Sequence, residues 1–400
     1  MSLELSERFK AIAPSPTLSI DAKTKALAAT GVEIVNLSVG EPDFATPDRA
    51  SLAGIAAIVG NFTKYTPVPG IMELRSKIAE KLATENQLEY KPEEIIVSSG
   101  AKQSLYNIFM AILNPGDEVL LPAPFWVSYP EQIRLCGAVA MPLETDESTG
   151  FKVTPEQIKK AITPKTKAIL LNSPSNPTGA VYTPDEVKAI AAVLEEHDLF
   201  VVSDEIYEQL TYGTEHYSIA RYSENLRNKT FVVNGFSKTF AMTGWRVGYV
   251  AAPKHLVSAM SSFQSHTTSN PSSISQKAAL GALGTFDQSI VREFQSRRDY
   301  VLAQLRELPG IKVAKPEGAF YIFPNAAAWV GLSYTMKDGS RVRLDSVDVV
   351  CELLLTDVNV SVVPGSGFGA PNNFRISYAT SMGQLEKAMQ RFKDFADRLN

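Results

Sequence analysis

Residues 168–203 read AILLNSPSNPTGAVYTPDEVKAIAAVLEEHDLFVVS. Ala168–Asn172 and Phe200–Ser203 are short, β-branched, uninterrupted apolar runs, the pattern of strands buried on both faces. Between them Thr183-Pro184-Asp185-Glu186 is a capping box with proline at the first helical position. Val187, Ile190, Ala191 and Leu194 then repeat at helical spacing, which predicts a helix with one apolar face. Strand, helix, strand in this order is the unit of a parallel sheet.

The same alternation extends outward. Glu94–Ser98, Glu118–Leu121, Ala138–Leu143, Phe231–Gly235 and Val247–Ala251 read as further strands. Thr154-Pro155-Glu156-Gln157 opens another helix, and Ala101, Leu105, Ile108, Phe109 and Ile112 form an apolar helical face directly after Ser98. The expected fold is α/β: a mostly parallel sheet flanked by helices. Beyond residue 255 the pattern changes to long helical stretches over 272–308, β-like pieces at Phe320–Phe323, Val360–Pro364 and Phe374–Tyr378, and a last helix after Ser381. That predicts a smaller α+β domain, with the irregular N-terminal run Pro14-Ser15-Pro16-Thr17 lying against it. The expected division is an N-terminal segment, 1–45, contributing to the small domain, a large domain, 46–295, and a small C-terminal domain, 296–400.

Composition narrows the classes. The chain has 400 residues, 44% apolar and 20% charged, enough for two to three domains with a substantial core. Thirty-nine basic against 43 acidic residues give a net charge of −4 with no like-charge block, so no nucleic-acid partner is expected. Cys136 and Cys351 form no CxxC, and the four histidines are scattered, which argues against a disulfide framework or a zinc site. Met1–Lys10 has no apolar leader, and Ala50–Gly60, the longest uncharged apolar run, is about half the ~20 residues of a membrane span. A cytoplasmic protein without membrane contact is expected.

Four segments carry candidate chemistry. In Gly235-Phe236-Ser237-Lys238-Thr239-Phe240-Ala241-Met242-Thr243-Gly244-Trp245-Arg246-Val247-Gly248 a strand delivers Lys238 into a turn, and Arg246 opens the next strand. A lysine amine forms a Schiff base with an aldehyde. Arg246 and Ser237 suit a phosphate. Asp204, in Val202-Ser203-Asp204-Glu205-Ile206-Tyr207, ends an apolar run where a carboxylate wants a cationic partner such as a pyridinium nitrogen. Asn172-Ser173-Pro174-Ser175-Asn176-Pro177 presents the Asn176 amide above the sheet. Ser98-Ser99-Gly100-Ala101-Lys102 is a strand, a glycine turn and a helix start, suited to an anion. Taken singly, each has a plain structural reading as a polar turn, a helix cap, a proline turn or a βα turn. Arg375, flanked by apolar residues in Phe374-Arg375-Ile376-Ser377-Tyr378, is placed to grip a carboxylate in a bidentate fork.

Together these runs, with Val39-Gly40-Glu41-Pro42-Asp43-Phe44 and Tyr65-Thr66-Pro67, resemble the fold-type I pyridoxal-phosphate-dependent aminotransferases over nearly the whole chain, most closely the bacterial aspartate aminotransferase subgroup Ib. The resemblance implies pyridoxal 5'-phosphate as cofactor and a homodimer with active sites at the interface. It implies that Lys238 carries the cofactor and shuttles the proton between Cα and C4′. Asp204 would pair with the pyridine nitrogen, Tyr207 and Asn176 would contact the 3′ oxygen, and Trp126 would stack on the ring. Gly100, Ala101, Ser237 and Arg246 would hold the phosphate, with Tyr65 from the other subunit. Arg375, the Gly40 backbone and Asn176 would grip the substrate α-carboxylate. Lys102, Ser15, Thr17 and the neighbour's Asn270 would take the distal carboxylate.

The implied reaction is reversible amino transfer from L-aspartate to 2-oxoglutarate. Transfer to prephenate, or a broader acidic and aromatic range, is the alternative within the subgroup. Two readings from other classes fall away on the sequence. Ser99-Gly100-Ala101-Lys102 matches SxxK of penicillin-recognising hydrolases, but the SDN and KTG boxes do not occur. A regulator on an aminotransferase body would need a DNA-binding module, and none is expected where the pattern starts within twenty residues of Met1.

Overall fold

The computed structural model describes residues 4–10 and 12–400. Residues 1–3 and 11, part of the expected N-terminal segment and of the stretch read for a leader, lie outside the described residues. The large sheet has seven strands. Across it they run Ile95–Ser98, Gly248–Ala251, Thr230–Gly235, Phe200–Asp204, Thr166–Asn172, Glu118–Ala123 and Val139–Glu144. Six point one way; Gly248–Ala251 runs against both neighbours. Four of the expected strands are buried almost along their whole length because helices cover both faces. Both proline-led capping boxes form: Thr154 accepts from Gln157 N at 3.2 Å and Thr183 from Glu186 N at 3.3 Å.

Two apolar layers flank this sheet. One centres on Leu105, Ile108, Phe109 and Ile133, the other on Leu74, Ile78, Leu82 and Val247. A separate core holds the α+β part, where Phe294, Val301, Val350, Leu354, Leu385 and Phe392 pack on the strands. Its three-stranded antiparallel sheet is Val363–Pro364, Phe374–Ser377 and Tyr321–Ile322. Val35–Asn36 pairs in parallel with Val360–Ser361, so the two chain ends build this part together.

One local expectation is overturned. The run at Pro14–Thr17 is not irregular throughout: Pro16 opens the helix Pro16–Ala28. Proline there supplies a preset φ and lacks only an N–H that a first turn leaves unpaired anyway. This helix does lie against the small part, with Thr24 Oγ1 2.7 Å from Ser361 Oγ.

Candidate active site

Six parallel strands release their loops on one edge of the sheet, the edge where open α/β sheets collect ligands. A cavity of about 750 Å³ opens there. Of the residues singled out in the sequence, it gathers Thr17, Gly40, Ala101, Lys102, Trp126, Asn176, Asp204, Tyr207, Ser237, Lys238, Arg246 and Arg375. Gly100 stands beside them, against the Arg246 guanidinium.

Asp204 ends its strand and is 3% exposed. Its Oδ2 accepts the Tyr129 hydroxyl at 2.8 Å and its Oδ1 accepts Ile206 N at 3.2 Å. Burial pushes this carboxyl up to about 6, against the pull of the Tyr129 and Ile206 donors. Asn172 fixes the neighbouring loop: its amide donates to Asp204 O at 3.0 Å and its Oδ1 accepts Asn176 N at 2.9 Å. Asn176 Oδ1 in turn accepts from Arg375 Nη1 at 2.9 Å. Arg375, 2% exposed, also donates from Nη2 to Ser38 O at 2.7 Å. Its guanidinium carbon lies 4.6 Å from the Tyr321 ring centre, and its Nε–H has no partner among the described residues.

Lys238 sits three residues past the strand Thr230–Gly235. Its Nζ donates to Gly40 O at 2.6 Å. Poor solvation, then the positive charge of Arg375, brings the amine down to about 8. Tyr207 OH lies 2.8 Å from Tyr321 OH, and burial holds the Tyr207 phenol well above its ordinary value. A Cβ on Gly40 would collide with that Tyr321 hydroxyl, so the backbone there approaches the ring closely only as glycine. Arg246 is two residues ahead of its strand rather than its first residue, at φ +56°. It donates to Thr243 O at 2.9 Å and Ser99 O at 3.3 Å. A Cβ on Gly100, at φ +84°, would overlap Arg246 Nη2. The helix Ala101–Ile112 that follows has no side-chain cap, leaving its first turn open to an anion.

Lys102 faces the cavity with its Nζ 4.8 Å from the Trp126 ring centre. Desolvation, then Arg246, holds its amine below the ordinary value. Trp126 packs edge-on against Tyr129. Ser15 does not line the cavity but bonds Thr17, which does, at 2.9 Å. Tyr65 and Asn270 are not brought in by this chain: Tyr65 is 91% exposed, and Asn270 Nδ2 donates to Pro271 O. The wall also includes Tyr129, Asn172, Tyr321 and Asp21, to which the sequence reading gives no role. Asn172 has a signal, as the polar residue closing an apolar strand. Tyr129 and Tyr321 have none, because their partners Asp204 and Tyr207 are far away along the chain.

Residues 32–392 match the family model described as aminotransferase class I and II. An aspartate aminotransferase of Bacillus sp. (strain YM-2) is 47% identical over 395 residues, covering 98% of each chain. An aspartate/prephenate aminotransferase of Cereibacter sphaeroides (strain ATCC 17029 / ATH 2.4.9) is 44% identical over 401 residues, covering 99% of each. Among solved structures, the aspartate aminotransferase of Rhizobium meliloti superposes with a TM-score of 0.94 at 41% identity, covering 100% of both chains.

Proposed function

The chain belongs to the class I and II aminotransferases, and on that premise we propose that it is an aspartate aminotransferase, moving the amino group of L-aspartate reversibly to 2-oxoglutarate with release of oxaloacetate and L-glutamate. The observation that carries the reading is one cavity holding Lys238, Asp204 and Arg375 together with Lys102.

The donor set fits pyridoxal phosphate. Asp204 is a buried carboxylate whose described partners are a tyrosine and a backbone N–H, and no cation is bonded to it. A ring N–H⁺ would complete it. The glycine cradle at Gly100, the Ala101 N–H, the Ser237 hydroxyl and the Arg246 guanidinium suit a phosphate. When bound, pyridoxal phosphate supplies an aldehyde for an amine and a protonated ring that withdraws electrons from the substrate Cα. Trp126 offers a flat face to that ring, and Tyr207 and Asn176 offer polar groups to its hydroxyl.

Arg375 holds the α-carboxylate, with the Asn176 side chain and the Gly40 backbone beside it. Lys238 Nζ, displaced from its attachment, takes the proton from Cα. It must be neutral to do so, and its burial favours that form. Lys102, Ser15, Thr17 and Asn270 of a second copy take the distal carboxylate.

A homodimer belongs to the same proposal. The helix Asp48–Val59 leaves Leu52, Ile55, Ile58 and Val59 exposed, and Tyr65, in the loop that follows, is exposed as well. In this reading Tyr65 reaches the phosphate of the neighbour. We assign residues 1–45 and 296–400 to a small domain and 46–295 to a large one, with the boundary inside the helix Ser289–Arg306, whose Phe294 packs into the small domain's core. No helix among the described residues is long and apolar enough to cross a membrane; we propose a cytoplasmic location.

The test is an absorbance spectrum of the purified protein. A near-ultraviolet to violet band should bleach on adding aspartate, and should not bleach in Lys238→Ala. A protein saturated with cofactor that shows no such band, or whose borohydride-trapped label sits on another residue, overturns the proposal. Prephenate is the second reading, favoured by the aspartate/prephenate name of the Cereibacter relative. Rates of glutamate-dependent amination of oxaloacetate and prephenate, measured side by side, separate the two.

A further inference from the structure

Tyr65 and Asn270, which the proposed homodimer lends across its interface, lie far apart in the chain, yet one buried side chain stands behind both. Gln276, on the helix Ser273–Ala282, is 0% exposed. Its Nε2 donates to Thr66 Oγ1 at 3.1 Å and to Pro271 O at 2.9 Å. Its Oε1 accepts Ile71 N at 2.8 Å. Donors and acceptor are thus all engaged, which fixes the orientation of the amide. Thr66 directly follows Tyr65, and Pro271 directly follows Asn270. Asn270 Nδ2 donates to the same Pro271 O at 2.7 Å.

The Tyr65 loop is fastened at further points. Ser273 Oγ donates to Phe62 O at 2.9 Å. Gln264, also 0% exposed, donates from Nε2 to Val68 O at 2.9 Å and to Val97 O at 3.0 Å, while its Oε1 accepts Asn107 Nδ2 at 2.8 Å. Val97 N donates to Pro69 O at 2.9 Å. Pro67 and Pro69 restrict the backbone between these points. Tyr65 itself is 91% exposed, so its pose rests on this backbone. All three bonds of the Gln276 side chain go to residues outside its own helix, on the two segments that carry the lent groups. A loop that carries a binding group to another subunit gains from being ordered beforehand, because ordering it on contact would cost affinity.

We propose that Gln276 is a positioning residue for the active site of the neighbouring copy: it locks Tyr65 and Asn270 of its own chain in the pose that the neighbour's phosphate and distal-carboxylate sites receive. The inference rests on the homodimer proposed above. Its consequence is directional, since Gln276 acts on the site with which it does not share a chain.

Heterodimers of two differently tagged copies test this. One copy keeps Lys238 and the other carries Lys238→Ala, so the single working site takes Tyr65 and Asn270 from the disabled copy. Gln276→Met keeps the length of the side chain and removes its three hydrogen bonds. Placed in the disabled copy, it should raise two quantities about tenfold each: the cofactor concentration that half-restores activity to cofactor-free heterodimer, and the KM for aspartate. That is the loss expected for about one hydrogen bond to a charged group, and kcat should stay within about threefold. Placed in the copy that keeps Lys238, it should move either quantity by less than about twofold. Thr66→Val, at a half-buried position, should fold and raise the cofactor requirement from the disabled copy. Equal losses in the two placements, or none in either, overturn the inference; should Gln276→Met fail to fold, Thr66→Val in the two placements decides it. Tyr65→Phe checks the dimer reading separately. If Tyr65→Phe acts only from the disabled copy and Gln276→Met does not, this inference alone falls. If Tyr65→Phe acts in any other way, or the active enzyme is a monomer, the shared site falls with it and amino transfer stands.

Discussion

Asp204 is the residue whose function should be most visible as a cost. Its carboxyl is buried and sits near 6 instead of 3.8. In cofactor-free protein the folded state therefore keeps a proton that the unfolded state has released between these two values. Stability from this group falls as pH rises through that window and stays low above it. The difference corresponds to about 3 kcal/mol at pH 7.5 and about 1 kcal/mol at pH 4.5. Exchanging the carboxylate for a carboxamide would keep the geometry: the amide oxygen can accept Ile206 N, and the amide nitrogen can donate to the Tyr129 oxygen. The cofactor-free Asp204→Asn variant should thus be more stable than the parent by roughly 2–3 kcal/mol at pH 7.5, shrinking towards ~1 kcal/mol at pH 4.5. Urea midpoints of both proteins at both pH values measure it. Amino transfer by the same variant with cofactor should fall by at least about a hundredfold, the scale of losing an oriented charge at the reacting centre. A variant less stable than the parent at pH 7.5, or a gain indifferent to pH, refutes the reasoning.

Other perturbations follow from the same geometry. In cofactor-free protein, about a quarter of the Lys238 amine is neutral at pH 7.5, so trapping by a small aldehyde and borohydride should rise with pH to a midpoint near 8. Arg375→Gln, by removing a positive neighbour, should move that midpoint upward; a parent midpoint near 10 would count against the account. Arg375→Lys keeps the charge but loses the fork, and kcat/KM for aspartate should drop about 30–100-fold, some 2–3 kcal/mol, with the cofactor band retained. A drop under about threefold would argue that the α-carboxylate binds elsewhere. Gly100→Ala places a Cβ into the Arg246 guanidinium at a backbone φ of +84°, and should weaken cofactor retention at least about tenfold in fluorescence titration. Unchanged retention would remove Arg246 from the phosphate site.

Features carried by neighbouring residues are legible in the sequence. Ile95–Ser98 and Thr230–Gly235 are buried on both sides, so their apolar runs are nearly unbroken. The Thr183 and Thr154 caps are complete within four residues. Pro16 misleads because proline marks both a break and a helix start, and only packing against the strands at Val360–Pro364 decides between them. Long-range pairs stay hidden. Nothing local to Tyr129 announces Asp204, and Arg375 meets Asn176 across 199 residues of chain. Lys238, Asp204 and Asn176 are readable because each sits at or just past the end of a strand; the order of those strands in the sheet is not, since it depends on crossovers.

The charges explain why such a site is built at all. Lys238, Arg246, Arg375 and Lys102 line one cavity, and Asp204 is the buried acid at its base. Without an anion the cations repel one another. Burial pushes the Asp204 carboxyl towards its neutral form, and burial with the Arg375 charge pushes the Lys238 amine towards its own. The two titrations are drawn together from 10.5 and 3.8 to about 8 and about 6. A phosphate near Arg246 and a carboxylate on Arg375 would relieve the pressure on the cations, and a ring cation would restore Asp204 as an anion. Binding and ionisation are thus linked: dicarboxylate affinity in the holoenzyme should weaken as salt screens the exposed Lys102, while the buried Arg375 contact should resist screening. Arg375→Lys should therefore lose affinity at every salt concentration, and Lys102→Gln chiefly at low salt. Equal salt slopes for both variants would break the assignment of Arg375 as the inner anchor and Lys102 as the outer one.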